Sequence, residues 1–274
     1  MPFSTIIKEI LQYEILYAMA QSEALNQLTF QGGTALRLCY RGTRYSEDLD
    51  FACSEEFHTD AMKPFAELLQ KEIAEAYDLH VEIKMPKFND QRTAEVSVAR
   101  WSAKIIVPQT DPSVPQNQVI NIEVASAPAY EPDLVAVNAN YPHLAAPLQQ
   151  MIITTETTNE ILANKIVALG ARPYLKARDV WDIKFLLDRQ TILDFKLVQK
   201  KLLDYGWTAD AFKSQMSQKI ELLAQPVTAN HFYTEMSRFV DATVLPQLKN
   251  PSMTKMFLQK SIELGQQTIA AKLG

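Results

Sequence analysis

Residues 28–38 read LTFQGGTALRL and contain the most informative turn of the chain. The first four residues have a strand-like pattern and those from Thr34 onward have helical spacing, so Gly32 and Gly33 mark a tight strand-to-helix turn. Glycines let a ligand approach the backbone closely, and the unpaired N–H groups of a helix N-terminus favour an anion. The turn predicts either a phosphate site or a helix start that needs a sharp bend. No Gly-Lys-Ser/Thr or GxGxxG pattern occurs, which excludes the common phosphate loops.

The segment RYSEDLDF at residues 44–51 carries a pair of carboxylates. In a strand, alternation places Asp48 and Asp50 on one face, while Leu49 and Phe51 point to the core. Adjacent carboxylates repel each other unless a cation lies between them. Oxygen ligands without histidine or cysteine suit Mg2+ or Mn2+, and Mg2+ is commonly held by carboxylates together with substrate phosphates. The pattern therefore predicts phosphoryl or nucleotidyl transfer.

Together these two segments resemble the first motif of the AbiEii/AbiGii and MenT toxin family, within the polymerase-β-like nucleotidyltransferase superfamily. The family pattern is a strand, Gly-Gly-Ser/Thr, a short helix, and Ser-x-Asp-x-Asp on the next strand, and this chain has every element. The resemblance implies Mg2+, or Mn2+, as cofactor and an NTP as substrate. It assigns metal binding and catalysis to Asp48 and Asp50, and nucleotide binding to Gly32, Gly33, Thr34 and Ser46.

A third acidic candidate lies in QVINIEVA, residues 118–125. Strict alternation places Asn121 and Glu123 on one face of a strand and the apolar residues on the other. Within the superfamily a third strand carboxylate commonly completes the metal site, although Asp is more usual than Glu there. Glu123 is therefore expected to be a metal ligand if its strand neighbours the aspartate pair, and otherwise an exposed strand residue.

Residues 157–188 predict two helices joined by a short turn. Helical spacing covers 160–169, Gly170 and Pro173 end that helix, and a second helix follows from about 175 to 188, so the two should be antiparallel neighbours. A lysine helix followed by an Arg-Asp-x-x-Asp helix resembles the later motifs of the same family. By that resemblance Lys165 contacts the triphosphate and is catalytic, and Asp179 is the catalytic or base-like carboxylate. Asp182 can instead pair with Arg178 one turn earlier.

The charge of the chain is unevenly distributed. Its net charge is -5, yet residues 165–201 contain nine basic and four acidic residues. Such a strip marks either a phosphate-bearing partner such as RNA or a solvated helix face. The part from Lys184 to Lys201 is expected to be solvated surface that could also meet RNA phosphates.

Composition and element pattern give the fold class and the compartment. A chain with 47% hydrophobic and 22% charged residues is globular, and no apolar run reaches the roughly 18 residues that a membrane span requires. Charged residues inside the first apolar segment argue against a signal peptide, and two cysteines fit reduced thiols, so a cytoplasmic location is expected. Strand patterns lie before residue 150 and helical patterns follow. We predict an α+β fold with a mixed-sheet nucleotidyltransferase lobe, 1–150, and a C-terminal helical lobe, 151–274.

The function expected from these features is transfer of NMP from an NTP to an acceptor. By the family resemblance the acceptor is RNA, such as a tRNA 3' end, and the protein is the toxin of a type IV toxin-antitoxin or phage-abortive system with a cognate antitoxin. Two other classes stay open. One is a small-molecule, antibiotic-type nucleotidyltransferase, and the other is a catalytically idle module that binds nucleotide or RNA.

Overall fold

A computed structural model describes residues 3–54, 57, 59–86, 96–108 and 115–273. The chain divides into two compact units, Met1–Glu156 and Thr157–Gly274. The first unit combines a sheet with helices and the second is helical in its described residues, which confirms the predicted α+β class and its division into a mixed-sheet lobe and a helical lobe.

The described part of the first unit contains seven strands and four α-helices, with short 3-10 turns at Ala24–Gln27 and Thr59–Met62. In chain order these elements are α1 (Phe3–Gln21), β1 (Thr29–Gln31), α2 (Gly32–Cys39), β2 (Leu49–Ala52), α3 (Lys63–Tyr77), β3 (His80–Lys84), β4 (Val98–Ile106), β5 (Asn117–Ala125), β6 (Pro132–Ala136), α4 (Ala146–Gln149) and β7 (Ile152–Glu156).

The strands form one mixed sheet in the order β3-β4-β5-β2-β1-β7-β6. β2 runs parallel to β5 and β1 runs parallel to β7, whereas the other neighbouring pairs are antiparallel. The central strands alternate as predicted, because Leu49, Phe51 and Ile122 are fully buried. This order places β2, which follows the Gly-Gly turn and helix α2, directly between β1 and β5.

Two strands lie near the predicted boundary between the lobes. β6 has largely exposed residues at the sheet edge and no apolar alternation, so the sequence pattern does not reveal it. The predicted boundary at residue 150 falls in front of β7, which pairs with both β1 and β6 and so belongs to the first unit. The sequence pattern of residues 94–107 predicts strand and that of residues 111–117 predicts a turn, and both ranges lie partly outside the described residues.

The second unit contains seven helices within its described residues: α5 (Thr158–Ala171), α6 (Ala177–Asp188), α7 (Phe195–Asp204), α8 (Ala209–Leu223), α9 (Pro226–Met236), α10 (Leu245–Leu248) and α11 (Pro251–Ala270). Thr157, Asp194 and Thr208 each accept a backbone N–H bond at a helix start, the standard N-cap interaction. The spacing of residues 233–245 predicts a helix there, and this prediction is wrong, because α9 begins at Pro226, which suits the first helical position, and ends at Met236.

Helix α5 packs closely against its neighbours in this unit. A side chain at Gly170 would lie 2.8 Å from Cζ of Phe212 and 3.1 Å from Cε of Met216, both on α8. The glycine therefore permits the close approach of α5 and α8. No helix in the described ranges is both long and apolar enough to cross a bilayer.

Candidate active site

The Gly-Gly turn is shaped by the acidic strand that lies beside it. Gly32 has φ +78°, in the left-handed region that glycine adopts without strain, and it is the first residue of α2. A Cβ at Gly32 would lie 2.8 Å from Oδ2 of Asp50. Glycine at this position is thus required both by the backbone conformation and by the carboxylate that faces it.

Gly33 faces a different pair of side chains. A Cβ at this position would lie 3.0 Å from Cζ of Arg44 and 3.1 Å from Oγ of Ser46. The guanidinium group and the hydroxyl group therefore sit directly over the bare backbone of the second glycine. Arg44 itself is 4% exposed and donates from Nη1 to the carbonyl oxygen of Tyr45 at 2.9 Å.

The loop that carries the acidic pair is held by side chains from two helices. Thr34 donates from its hydroxyl to the backbone carbonyl of Asp48, and Gln12 on α1 donates from Nε2 to the carbonyl of Ser46 at 3.1 Å. Thr34 is predicted to bind nucleotide, but its hydroxyl group is engaged in this hydrogen bond to the loop. Gln12 was missed by sequence reasoning, because it is distant in sequence from the motif.

Arg37 on α2 is held by contacts within the first unit. It donates from Nε to both carboxylate oxygens of Glu9 at 3.0 and 3.1 Å, and from Nη1 to the carbonyl of Gly42 at 2.9 Å. Its guanidinium carbon lies 4.7 Å from the ring centre of Tyr45. Because Glu9 is 2% exposed, this is a nearly buried ion pair that ties α1, α2 and the following loop together.

Two rows of polar residues run across strands β4, β5 and β2. In the first row, Ser102 donates to Oδ1 of Asn121 at 2.7 Å, and Nδ2 of Asn121 donates to Oδ1 of Asp48 at 2.9 Å. The second row, one pleat along, is defined by strand register and contains Arg100, Glu123 and Asp50. The expectation that Glu123 and the aspartates occupy neighbouring strands is met.

The carboxylate of Glu123 pairs with a residue on β4 and not with one on β2. Nη2 of Arg100 lies 2.6 Å from Oε1 of Glu123, with side chains that are 62% and 26% exposed. Among the described residues no three His, Cys, Asp or Glu side chains are gathered so as to hold a metal ion. Asp48, Asp50 and Glu123 thus share one region of the sheet without converging on one point.

The donor chemistry at this position still fits a hard divalent cation. Asp48 and Asp50 offer carboxylate oxygens, and the glycine beside Asp50 leaves the space that a side chain would fill. Mg2+ needs only one or two protein carboxylates when substrate phosphates and water supply the remaining ligands. The donor set of the aspartate pair therefore fits one Mg2+ ion, and Glu123 would have to leave Arg100 to serve as a further ligand.

The second unit contains a compact ion cluster between α5 and α6. Nζ of Lys165 lies 3.0 Å from Oδ1 of Asp179 and 2.8 Å from Oδ2 of Asp182. Arg172 pairs with the other oxygen of Asp179. The side chains of both aspartates are 3% exposed, that of Lys165 is 11% exposed and that of Arg172 is 35% exposed.

These cations determine the charge state of Asp179. Burial by itself would raise the pKa of the Asp179 carboxyl, but Lys165 and Arg172 outweigh burial and hold the pKa below its ordinary value. A carboxylate with a lowered pKa is a weak proton acceptor. The geometry favours a role for Asp179 in holding Lys165 and Arg172. The neighbouring Lys176 has a lowered pKa because of burial and the nearby Arg178 and Arg172.

The basic residues from Lys184 on α6 to Lys201 on α7 are only partly solvated, which corrects the expectation that this part is solvated surface. Lys184 is 8% exposed and pairs with Asp188, and Lys201 is 2% exposed with its Nζ 2.5 Å from Oε1 of Glu160. These two ammonium groups are paired with carboxylates and largely buried, so the exposed surface of residues 165–201 is less basic than the count of lysines and arginines suggests.

Family comparison covers both units. The family model described as nucleotidyl transferase AbiEii toxin, type IV TA system, matches residues 14–256. The chain belongs to the AbiEii family. The matched range includes the Gly-Gly turn, both aspartates of the first motif, Glu123, Lys165 and Asp179, and this confirms the recognition made from the two motifs. No curated protein sequence matches the chain.

Solved structures share the AbiEii fold over nearly the whole chain. JHP933 from Helicobacter pylori is 18% identical, with a TM-score of 0.56 over 98% of this chain and 94% of that one. MenT4, the nucleotidyltransferase toxin Rv2826c from Mycobacterium tuberculosis H37Rv, is also 18% identical, with a TM-score of 0.60 over 98% of this chain and 88% of that one. At such identity the likeness shows a common fold.

Proposed function

We propose that this AbiEii protein is a Mg2+-dependent nucleotidyltransferase that transfers NMP from an NTP to RNA, such as the 3' end of a tRNA, and releases pyrophosphate. The observation that carries the proposal is the bare Gly32–Gly33 backbone beside Asp50, at the N-terminus of α2. Family membership supplies the reaction class, and this turn supplies a place for phosphates next to the carboxylates.

Asp48 and Asp50 would hold the Mg2+ ion, or Mn2+ in its place. When bound, the cation neutralises triphosphate charge and polarises the reacting phosphoryl group. Glu123 joins the ligands only by giving up Arg100, and an exposed pair of this kind is worth about 0–1 kcal/mol. The release of Glu123 is therefore inexpensive.

The phosphates would be bound mainly by the backbone and by Ser46. The first N–H groups of a helix have no partner within the helix, and here they belong to the residues from Gly32 to Thr34. The Ser46 hydroxyl lies over Gly33 and adds a side-chain donor. Thr34 would contribute its N–H group, since its hydroxyl holds the loop.

Lys165 would stabilise the charge that develops on the leaving pyrophosphate. Its ammonium group is held by two carboxylates, so it is pre-oriented and loses little side-chain entropy when it acts. Asp179 stays a proposed catalytic residue, and its ion pairs with Lys165 and Arg172 support alignment of Lys165 over direct deprotonation of the acceptor.

The RNA acceptor is proposed from the family together with the exposed part of the basic strip. Arg189, Lys196 and Lys200 are exposed and can approach phosphates, whereas Lys184 and Lys201 are buried. We include a cytoplasmic location and a cognate antitoxin in the proposal. The competing hypothesis is a small-molecule acceptor. An enzyme that acts on a small molecule would not need exposed basic residues.

The proposal is tested by incubating the protein with total RNA, Mg2+ and each labelled NTP in turn. We expect label in RNA from one preferred NTP, and no transfer by Asp48→Asn or Asp50→Asn, because each substitution keeps the side-chain shape and removes a negative charge that would hold the divalent cation. Glu67→Gln is the matched control, since Glu67 is an exposed acid on α3 of the same unit.

The outcomes separate the function classes. RNA labelling that persists in Asp48→Asn would overturn the assigned site. Label that moves to small hydroxyl compounds and not to RNA would support the antibiotic-type reaction. NTP binding without transfer to any acceptor would indicate a catalytically idle module.

A further inference from the structure

The first polar row contains a side chain that belongs to no motif. Asn121 lies on β5, on the same face as Glu123, between Ser102 on β4 and Asp48, which immediately precedes β2. Within the described part of the chain, Asn121 is the side chain that hydrogen-bonds the Asp48 carboxylate. All three residues are half-buried.

The chemistry of an amide suits this position. An amide N–H group can donate to a carboxylate without adding charge, so it fixes the carboxylate and leaves its negative charge available to a cation. The Ser102 hydroxyl donates to the amide oxygen and thereby orients the amide so that its NH2 group faces Asp48. An acid at 121 would repel Asp48, and an apolar residue would leave the carboxylate unsupported.

The backbone of Asp48 is fixed independently of this row. The Thr34 hydroxyl donates to the Asp48 carbonyl oxygen and ties the main chain at this residue to α2. Asn121 therefore acts on the side chain of Asp48, at Oδ1, and not on its backbone. Backbone and carboxylate are each held by a separate hydrogen bond.

We propose that Asn121, oriented by Ser102, is a positioning residue that presents the Asp48 carboxylate to the divalent cation. The inference rests on the proposed function, because it takes Asp48 to be a metal ligand. Residues that hydrogen-bond a metal ligand commonly change metal affinity or activity by about 10- to 100-fold when they are replaced. Asn121→Ala should therefore weaken divalent-metal binding while the ligands themselves remain.

The test measures Mn2+ affinity directly, by electron paramagnetic resonance titration with an NTP analogue that cannot be hydrolysed. We expect Asn121→Ala to bind Mn2+ about tenfold or more weakly than the wild type, and Ser102→Ala to shift affinity in the same direction by a smaller factor. Asn117→Ala is the matched control, because Asn117 is exposed and lies on the same face of β5.

Transfer activity provides the second measurement. Raising Mg2+ should restore the rate of Asn121→Ala toward the wild-type value, because the aspartate pair is intact, whereas a general folding defect would not respond to Mg2+. If Asn121→Ala does not fold, the Ser102→Ala titration decides. Wild-type Mn2+ affinity in every variant that folds would overturn the inference. A wild-type protein that binds no Mn2+ would overturn both the inference and the proposed metal chemistry.

Discussion

Replacing Lys165 with methionine removes the ammonium group that contacts both Asp179 and Asp182. Two carboxylates, each 3% exposed, then face each other with Arg172 as the cation on Asp179. Removing one partner from a buried ion pair costs about 3–5 kcal/mol. Because Arg172 remains and the Lys165 side chain is 11% exposed, we expect a loss near the lower end, about 3 kcal/mol.

A second substitution tests whether this loss comes from charge. In Lys165→Met with Asp182→Asn, one negative charge disappears and Arg172 balances Asp179. The double variant should recover about 2 kcal/mol of the loss, which is within the range for residues in direct contact. Urea unfolding followed by tryptophan fluorescence suits the measurement, because the buried Trp181 adjoins Asp182 on α6.

Both single variants complete the thermodynamic cycle. Losses that simply add, or a Lys165→Met loss below about 1 kcal/mol, would refute the reasoning that Lys165 balances two buried carboxylates. Transfer activity should be compared without urea and at a temperature at which each variant is folded, so that loss of transfer is not confused with loss of structure.

Three further predictions concern Gly33, Gly170 and Asp179. Gly33→Ala should reduce transfer strongly, because the new methyl group lies 3.1 Å from the Ser46 hydroxyl and displaces the Arg44 guanidinium at the backbone proposed to bind phosphates; steady-state kinetics check this, and urea unfolding measures the accompanying loss of stability. Gly170→Ala should destabilise by about 1–3 kcal/mol through overpacking, whereas Gly265→Ala, where the nearest atoms are 3.2 Å away, should cost less; paired urea titrations compare them. The Asp179 pKa lies below its ordinary 3.8, so its charge stabilises the fold above that pH, and the advantage over Asp179→Asn should disappear as pH falls through the folded value; urea unfolding across acidic pH measures it.

Local sequence patterns were sufficient to predict the first motif of the site. The Gly-Gly turn and the alternation around Asp48 and Asp50 are set by adjacent residues, so periodicity and turn chemistry were enough to place them. The family follows from the same residues, and the family model matches across both motif regions.

Contacts between distant residues could not be predicted in this way. The pair of Arg100 with Glu123 depends on the register of β4 and β5, which the sequence does not state. Burial of Lys201 depends on Glu160, which lies on a different helix. Asn121 was placed on the correct face, but its bond to Asp48 requires β5 and β2 to be neighbours.

The link from α1 to the motif has an evolutionary consequence. Glu9 pairs with Arg37, and Gln12 holds the Ser46 carbonyl, so two residues outside any recognisable motif maintain the loop that bears the acidic pair. Charge at positions 9 and 37 should therefore be gained, lost or exchanged together among descendants of this sequence. A search that scores the motif alone would not detect the loss of this helix contact in a homologue that retains every motif letter.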